Sequence, residues 1–142
     1  MNSKKFLTGT LVGGISFFLL GYLFYGAALA GFFASHSIAP AGSMKPMNEI
    51  LWWALILGNL AEAALLTWIF MKIGSVLSFS RGFSTGIVIG FFIGLSFDLI
   101  RYATGNAVDL TATLADVAVE AVMCGIVGGI IGVVLGMGTK RA

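Results

Sequence analysis

The chain has 142 residues, of which 58% are hydrophobic and 10% are charged, and its formal net charge is +2. Soluble globular proteins carry about 25% charged residues, so the composition indicates a single membrane-embedded domain and excludes a sizeable soluble one. The small net charge gives no argument for nucleic-acid binding. A single cysteine, Cys124, excludes an internal disulfide and a thiolate metal cluster within the chain.

The first predicted helix covers residues 6–34 and follows Lys4 and Lys5. Lysines before an apolar run are also typical of a signal peptide, whose apolar part has about 7–15 residues. The longer run in this chain predicts a membrane anchor that stays on the protein. Tyr22 and Tyr25 lie toward its end, where an aromatic belt is expected at the membrane interface.

The second predicted helix covers residues 48–73 and follows a loop that contains both prolines of the chain. Asn48 is a plausible N-cap of this helix. Asn59 and Glu62 lie near its middle and share one face. His36 and two methionines in the preceding loop form no regular ligand pattern, so we predict neither a metal site nor a cofactor.

The third predicted helix covers residues 85–102. Glycines recur on it every four residues, which lets a neighbouring helix approach closely: Gly86, Gly90 and Gly94. The same helix face continues into Asp98 and Arg101.

The fourth predicted helix covers residues 110–136 and has two different faces. At about 100° per residue, Asp116 and Glu120 share one face. Small residues form a ridge on roughly the opposite side: Gly125, Gly129, Gly132 and Gly136. A carboxylate in hydrocarbon costs about 2.5–3.5 kcal/mol, so we expect the acidic face to point into the bundle, toward Asn59 and Glu62. The ridge is expected to be covered by another helix, from the same chain or from a second copy.

Basic residues near the helix ends predict the orientation in the membrane. Six lie on the side of the N-terminus and two on the other: Lys4, Lys5, Lys72, Arg81, Lys140 and Arg141, against Lys45 and Arg101. The excess predicts cytoplasmic termini. We therefore predict an all-α, multi-pass protein of the bacterial cytoplasmic (inner) membrane, with four transmembrane helices in an antiparallel bundle.

Charged and polar residues at membrane depth predict a buried polar cluster: Tyr25, Asn59, Glu62, Asp98, Arg101, Asp116 and Glu120. Arg101 can pair with Asp98 one helical turn away, or with Asp116 across the turn between the last two helices. One guanidinium cannot compensate four carboxylates in a low dielectric, so the others must be protonated, hydrated or paired with something outside the chain. A neutral glutamic acid, hydrogen-bonded to Asn59 or Tyr25, and an ion, proton or ligand site remain open as alternatives.

Three features together resemble a family of small four-helix bacterial membrane proteins, domain of unknown function 1761: the segment from Phe18 to Tyr25, the glycine-spaced third helix, and an acidic residue early in a fourth helix that ends in glycines. The resemblance implies the four-helix fold and supports the predicted topology. It implies no activity. The chain departs from the family at Phe24, where that family would have tryptophan.

No pattern of nucleophile, base or paired metal ligands predicts an enzyme, so a non-catalytic role is expected. One hypothesis is a membrane module whose glycine-rich helix faces bind a partner helix, membrane lipid or a second copy of the chain. The alternative is an oligomeric transporter or channel subunit for a small solute, coupled to protons or cations through Glu62 and Glu120.

Overall fold

The computed structural model of the chain describes residues 2–39 and 45–137, and within them it is helical apart from turns and one isolated β-bridge, between Ser37 and Val108. Four helices in these ranges are long and apolar enough to cross a membrane: Ser3–Ala28, Trp52–Ile73, Phe79–Thr104 and Leu110–Gly136. The predicted all-helical class is confirmed. Residues 40–44, and Lys140 and Arg141 of the charge count, lie outside the described residues.

The first span differs from the predicted single helix 6–34. Helix α1, Ser3–Gly21, is capped by Asn2, whose side chain accepts from the backbone N–H groups of Lys4 and Lys5. The span then continues as a π-helix, Tyr22–Ala28. It breaks at Leu29, where the backbone leaves the helical region, and a short helix α2, Ala30–Ser35, follows.

Helix α3, Trp52–Ile73, begins later than predicted. Asn48 does not cap it, because residues 47–49 form a separate 3₁₀ turn and the N-cap is Leu51. At its other end, Gly74 has a positive φ of 73°, and its N–H donates to the carbonyl oxygen of Phe70 at 3.0 Å. Glycine adopts this left-handed conformation at low cost, which ends the helix.

Helix α4, Phe79–Thr104, begins before the predicted residue 85 because Ser78 caps it and accepts from the N–H of Arg81. Helix α5, Leu110–Gly136, has the predicted bounds. Asp109 is its N-cap and accepts from the N–H of Ala112 at 2.8 Å. The side chains at both N-caps satisfy backbone donors that the first turn of a helix leaves unpaired.

Helix α5 is the centre of the fold. In its most apolar window 61% of the residues are buried, against 22% in each of the other three spans. It packs on α1, α3 and α4, while α1 also packs on α3. The core includes Phe17, Leu66, Phe70, Val127 and Ile131, which are almost inaccessible. The helix with two embedded carboxylates is therefore the one most enclosed by protein.

The glycine faces of α4 and α5 pack against each other. A Cβ added to Gly86 would meet the backbone carbonyl of Cys124, and one added to Gly82 would meet that of Gly128. On α5, a Cβ at Gly129 would lie 2.6 Å from the ring of Phe79. The ridge predicted on α5 is thus covered by α4 of the same chain.

Candidate functional site

A cavity of about 280 Å³ lies beside α5. Residues from the π-helical stretch, α3, α4 and α5 line it: Tyr25, Glu62, Ile93, Gly94, Phe97, Asp98, Asp116 and Glu120. Four of these residues carry carboxyl groups, and all four belong to helices that can cross a membrane. We call this space the acidic cavity.

One end of the acidic cavity is an ion-pair network, the Arg101 cluster, formed by Tyr25, Asp98, Arg101 and Asp116. Arg101 Nη2 lies 2.9 Å from Asp116 Oδ2 and 3.2 Å from Asp98 Oδ1. The hydroxyl of Tyr25 donates to Asp116 Oδ1 at 2.5 Å. Asp98 is only 4% exposed, whereas the Arg101 side chain is 39% exposed. The guanidinium therefore reaches from the surface to neutralise a buried acid.

The local sequence explains the Arg101 cluster. Asp98 continues the buried glycine face of α4, and Arg101 follows one turn later. Residues 105–109 then reverse the chain, so that Asp116, in the second turn of α5, lies opposite the last turns of α4. The structure brings Arg101 into contact with Asp98 and Asp116, the two partners predicted from the sequence.

The other end of the acidic cavity is formed by two glutamates and a thiol. Cys124 Sγ lies 3.2 Å from Glu62 Oε1 and 3.3 Å from Glu120 Oε1. The three possible ligand atoms lie within 4.8 Å of one another. We call Glu62 and Glu120 the carboxyl pair. A thiol has one proton and can donate to one carboxyl oxygen at a time, so its second contact needs another proton or a cation.

The carboxyl pair differs chemically from the Arg101 cluster because, within the described residues, the ion pairs are those of Arg101 with Asp98 and Asp116 and neither glutamate takes part in one. At 4.8 Å and an effective dielectric constant of about 20, two ionised carboxylates repel each other by about 3.5 kcal/mol. A proton or cation shared between them removes that repulsion. Two carboxylate oxygens and one sulfur are also ligands that a divalent metal accepts.

Asn59 is placed differently from the prediction. Its Nδ2 donates to the carbonyl oxygen of Leu55 at 2.7 Å, within its own helix. It lines a second space, an apolar groove of about 260 Å³ between α1 and α3, together with Gly14 and Leu60. Glu62, three positions later on nearly the same helix face, lines the acidic cavity, whereas Asn59 is not among its lining residues.

The sequence placed Tyr25 in the buried polar cluster but did not predict its partner, and it predicted no polar role for Cys124. Tyr25 was expected to be an interfacial residue or a partner of a glutamic acid, yet its hydroxyl bonds to Asp116. Cys124 was interpreted as a packing residue, yet its thiol contacts both members of the carboxyl pair. The signal for Cys124 was its position four residues after Glu120, which puts both on one helix face.

Comparison of the chain with protein-family models, with curated proteins and with solved structures gives no match. The resemblance to the four-helix family therefore stays a sequence-based prediction.

Proposed function

We propose that the protein is a small, non-catalytic membrane protein that binds a proton or a small cation in the acidic cavity. In this role it serves as a proton- or cation-coupled transporter or channel subunit for a small solute. The observation that carries the proposal is the lining of one cavity by four carboxyl groups on helices long and apolar enough to cross a membrane. Within the described residues, one guanidinium, that of Arg101, is ion-paired with two of these groups.

The cost of burying carboxylates supports this choice. An ionised carboxylate at the bilayer centre costs about 2.5–3.5 kcal/mol, and intramembrane acids commonly mark ion or proton pathways. Arg101 offsets that cost for Asp98 and Asp116, which it contacts directly. Glu62 and Glu120 instead face each other across a thiol. A proton or cation bound at the carboxyl pair supplies the compensation that the neighbouring side chains do not.

The second candidate is a membrane module that binds a partner helix, lipid or a copy of itself. The glycine faces of α4 and α5 already pack together within the chain, so they give less support to an external partner. The groove between α1 and α3 gives more, because it is apolar and includes the half-buried Asn59. A polar residue beside a groove in the membrane can hydrogen-bond to a neighbouring helix.

For the topology we propose an antiparallel arrangement with both termini in the bacterial cytoplasm. Lys5 Nζ donates to the carbonyl oxygen of Leu135 at 2.8 Å, which links the start of α1 to the end of α5. Tyr25 and Asp116 link the end of the first span to the start of α5. These two contacts support opposite directions for the two helices, and the positive-inside rule supports the orientation.

Cysteine labelling checks this orientation. We expect a membrane-impermeant maleimide, added outside intact cells, to label Ser37→Cys and not Ser80→Cys, since the two exposed serines lie at opposite ends of the spans. The native Cys124 is fully buried, so it contributes little background. Labelling of Ser80→Cys alone would reverse the proposed orientation.

The ion site is checked by thermal unfolding in detergent, with Na⁺, K⁺, Mg²⁺ or tetramethylammonium at constant ionic strength and at several pH values. A cation that binds only the folded protein stabilises it by about 2.7 kcal/mol at 100 times its dissociation constant. We expect stabilisation by at least one cation, or by proton uptake on lowering the pH. Glu120→Gln and Glu62→Gln should remove it, because an amide keeps the shape and loses the charge.

Glu49→Gln is the matched control, since Glu49 is an exposed carboxylate in the 3₁₀ turn, outside the acidic cavity. It should respond to cations and pH like the wild-type protein. If Glu120→Gln and Glu62→Gln also respond like the wild type, the carboxyl pair binds neither proton nor cation, and the second candidate gains support.

A further inference from the structure

The first span changes its backbone hydrogen bonding where it reaches the acidic cavity. Residues 22–28 form a π-helix, and the N–H of Leu29 donates to the carbonyl oxygen of Phe24, five residues earlier, at 2.8 Å. π-helices are rare, appear mostly as single turns inside α-helices, and are frequent at functional sites. Seven residues in this conformation beside an acidic cavity indicate a role beyond continuing the helix.

Tyr25 connects this stretch to the acidic cavity. It is the lining residue that the first span contributes, and its hydroxyl donates to Asp116. The centroid of its ring lies 5.4 Å from that of Phe33. Tyr25 as a whole is 38% exposed. The part of the cavity wall that Tyr25 forms is therefore tied to α5 by a hydrogen bond to a charged group, beside the core contact of Phe24.

The stretch can rewind without losing its backbone hydrogen bonds. An α-helix bonds each N–H to the carbonyl four residues earlier, one fewer than a π-helix. One residue corresponds to about 100° of rotation on an α-helix, so rewinding turns Tyr25 away from Asp116. No residue from Tyr22 to Ala28 is fully buried. Phe24 within the stretch and Leu29 just after it pack against the core while partly exposed, so these are the two side chains that must repack when the stretch rewinds.

We propose that the π-helical stretch Tyr22–Ala28 is the gate of the acidic cavity. The gate is closed while Tyr25 donates to Asp116, and it opens when the stretch rewinds to an α-helix and releases that hydrogen bond. The gate controls access to the carboxyl pair, so its purpose rests on the proposed function, whereas its movement can be measured without any cation.

The test uses a reporter cysteine on the cavity wall, Ile93→Cys, in the full chain with Cys124→Ser, and the small neutral reagent methyl methanethiosulfonate. Tyr25→Phe removes the hydroxyl and keeps the ring, so it should raise the labelling rate roughly tenfold, the change expected on losing a hydrogen bond to a charged group. Tyr22→Phe is the matched control, because Tyr22 is exposed, belongs to the same stretch and is not a lining residue.

Two further measurements examine the backbone. Deletion of Ala27 removes one residue from the π-helical stretch and should favour the α-helical form, so it should also accelerate labelling. In the folded Tyr25→Phe protein, backbone amides of residues 22–29 should exchange hydrogen faster than in Tyr22→Phe, while those of α5 stay unchanged.

Equal labelling rates in Tyr25→Phe and Tyr22→Phe would overturn the gate. Faster labelling without faster amide exchange in residues 22–29 would mean that the side chain moves alone, which also overturns it. If the deletion variant does not fold, the exchange comparison still decides. A neutral reagent does not depend on cation binding, so the gate can fail while the ion site stands, and the ion site can fail while the gate stands.

Discussion

Gly86→Ala is expected to destabilise the protein by about 3 kcal/mol, the upper part of the range for overpacking a core. The added Cβ would meet the backbone carbonyl of Cys124 on α5. A backbone atom cannot rotate aside as the end of a side chain can, so α4 and α5 must separate along their interface. That separation also opens a contact between Gly82 and Gly128, one turn away.

Gly58→Ala is the matched control for this substitution. Gly58 lies in the second turn of α3, and a Cβ there would meet no heavy atom within 4 Å. Alanine should therefore be neutral or stabilise the helix by about 0.5–1 kcal/mol through its higher helix propensity. Reversible unfolding in mixed micelles, followed by circular dichroism, measures both variants. Equal stabilities of the two variants would show that the close approach of α4 and α5 is not what holds them together.

Arg101→Gln is expected to destabilise the protein by about 2–4 kcal/mol, because it leaves Asp98 and Asp116 without their shared cation. Breaking a buried ion pair typically costs about 3–5 kcal/mol, and the partial exposure of Arg101 reduces that figure. Most of this lost stability should come from the unpaired carboxylate of Asp98, because that residue is almost completely buried.

Removal of the acids as well should restore stability. The triple variant Arg101→Gln, Asp98→Asn, Asp116→Asn has no unpaired charge in the Arg101 cluster and should recover most of the loss. Arg81→Gln is the control, since that exposed guanidinium donates to the carbonyl oxygen of Ser75 and contacts no carboxylate of the cavity. If Arg101→Gln unfolds like Arg81→Gln, Arg101 does not stabilise the buried acids.

Helix α5, the fourth predicted helix, could be predicted well because the sequence signals at its start and along its length agree. Asp109 precedes a long apolar run, and the bounds Leu110–Gly136 are those observed. The start of α4 could not be predicted in the same way. Residues 79–84 are polar enough to be taken for a connection, and the cap of Ser78 together with the packing of Gly82 on α5 explains why they are helical.

The first span was the least predictable part of the fold. A π-helix and an α-helix have similar composition, and the switch after Gly21 depends on which carbonyl each N–H contacts. The periodicity of an apolar segment does not distinguish the π-helical from the α-helical hydrogen-bond pattern. Tyr25 could therefore be assigned to the buried polar cluster, but its hydrogen bond to Asp116 could not be predicted, since the direction of its side chain depends on the switch.

Contacts within the candidate site could be predicted where the depth of residues along their helices and their spacing in the sequence determine which side chains meet. Counting residues along each helix brings Asp98, Arg101 and Asp116 to a similar depth, and these residues are in contact. Asn59 shows the limit of that reasoning, because depth alone does not say which neighbour a helix face meets. The face carrying Asn59 meets α1 and the apolar groove.

On the proposed function, the position of the carboxyl pair along α5 would expose a bound cation to the membrane potential. Glu120 lies ten residues after the start of a helix that ends at Gly136, about 15 Å along its axis, or roughly half of a bilayer core about 30 Å thick. Moving one charge across the full potential is worth about 2.3 kcal/mol per 100 mV. A cation that entered from the Arg101 cluster and stopped at Glu120 would cross about half of that field. Its occupancy would therefore change several-fold per 100 mV, so that on the proposed function the membrane potential would set how full the site is.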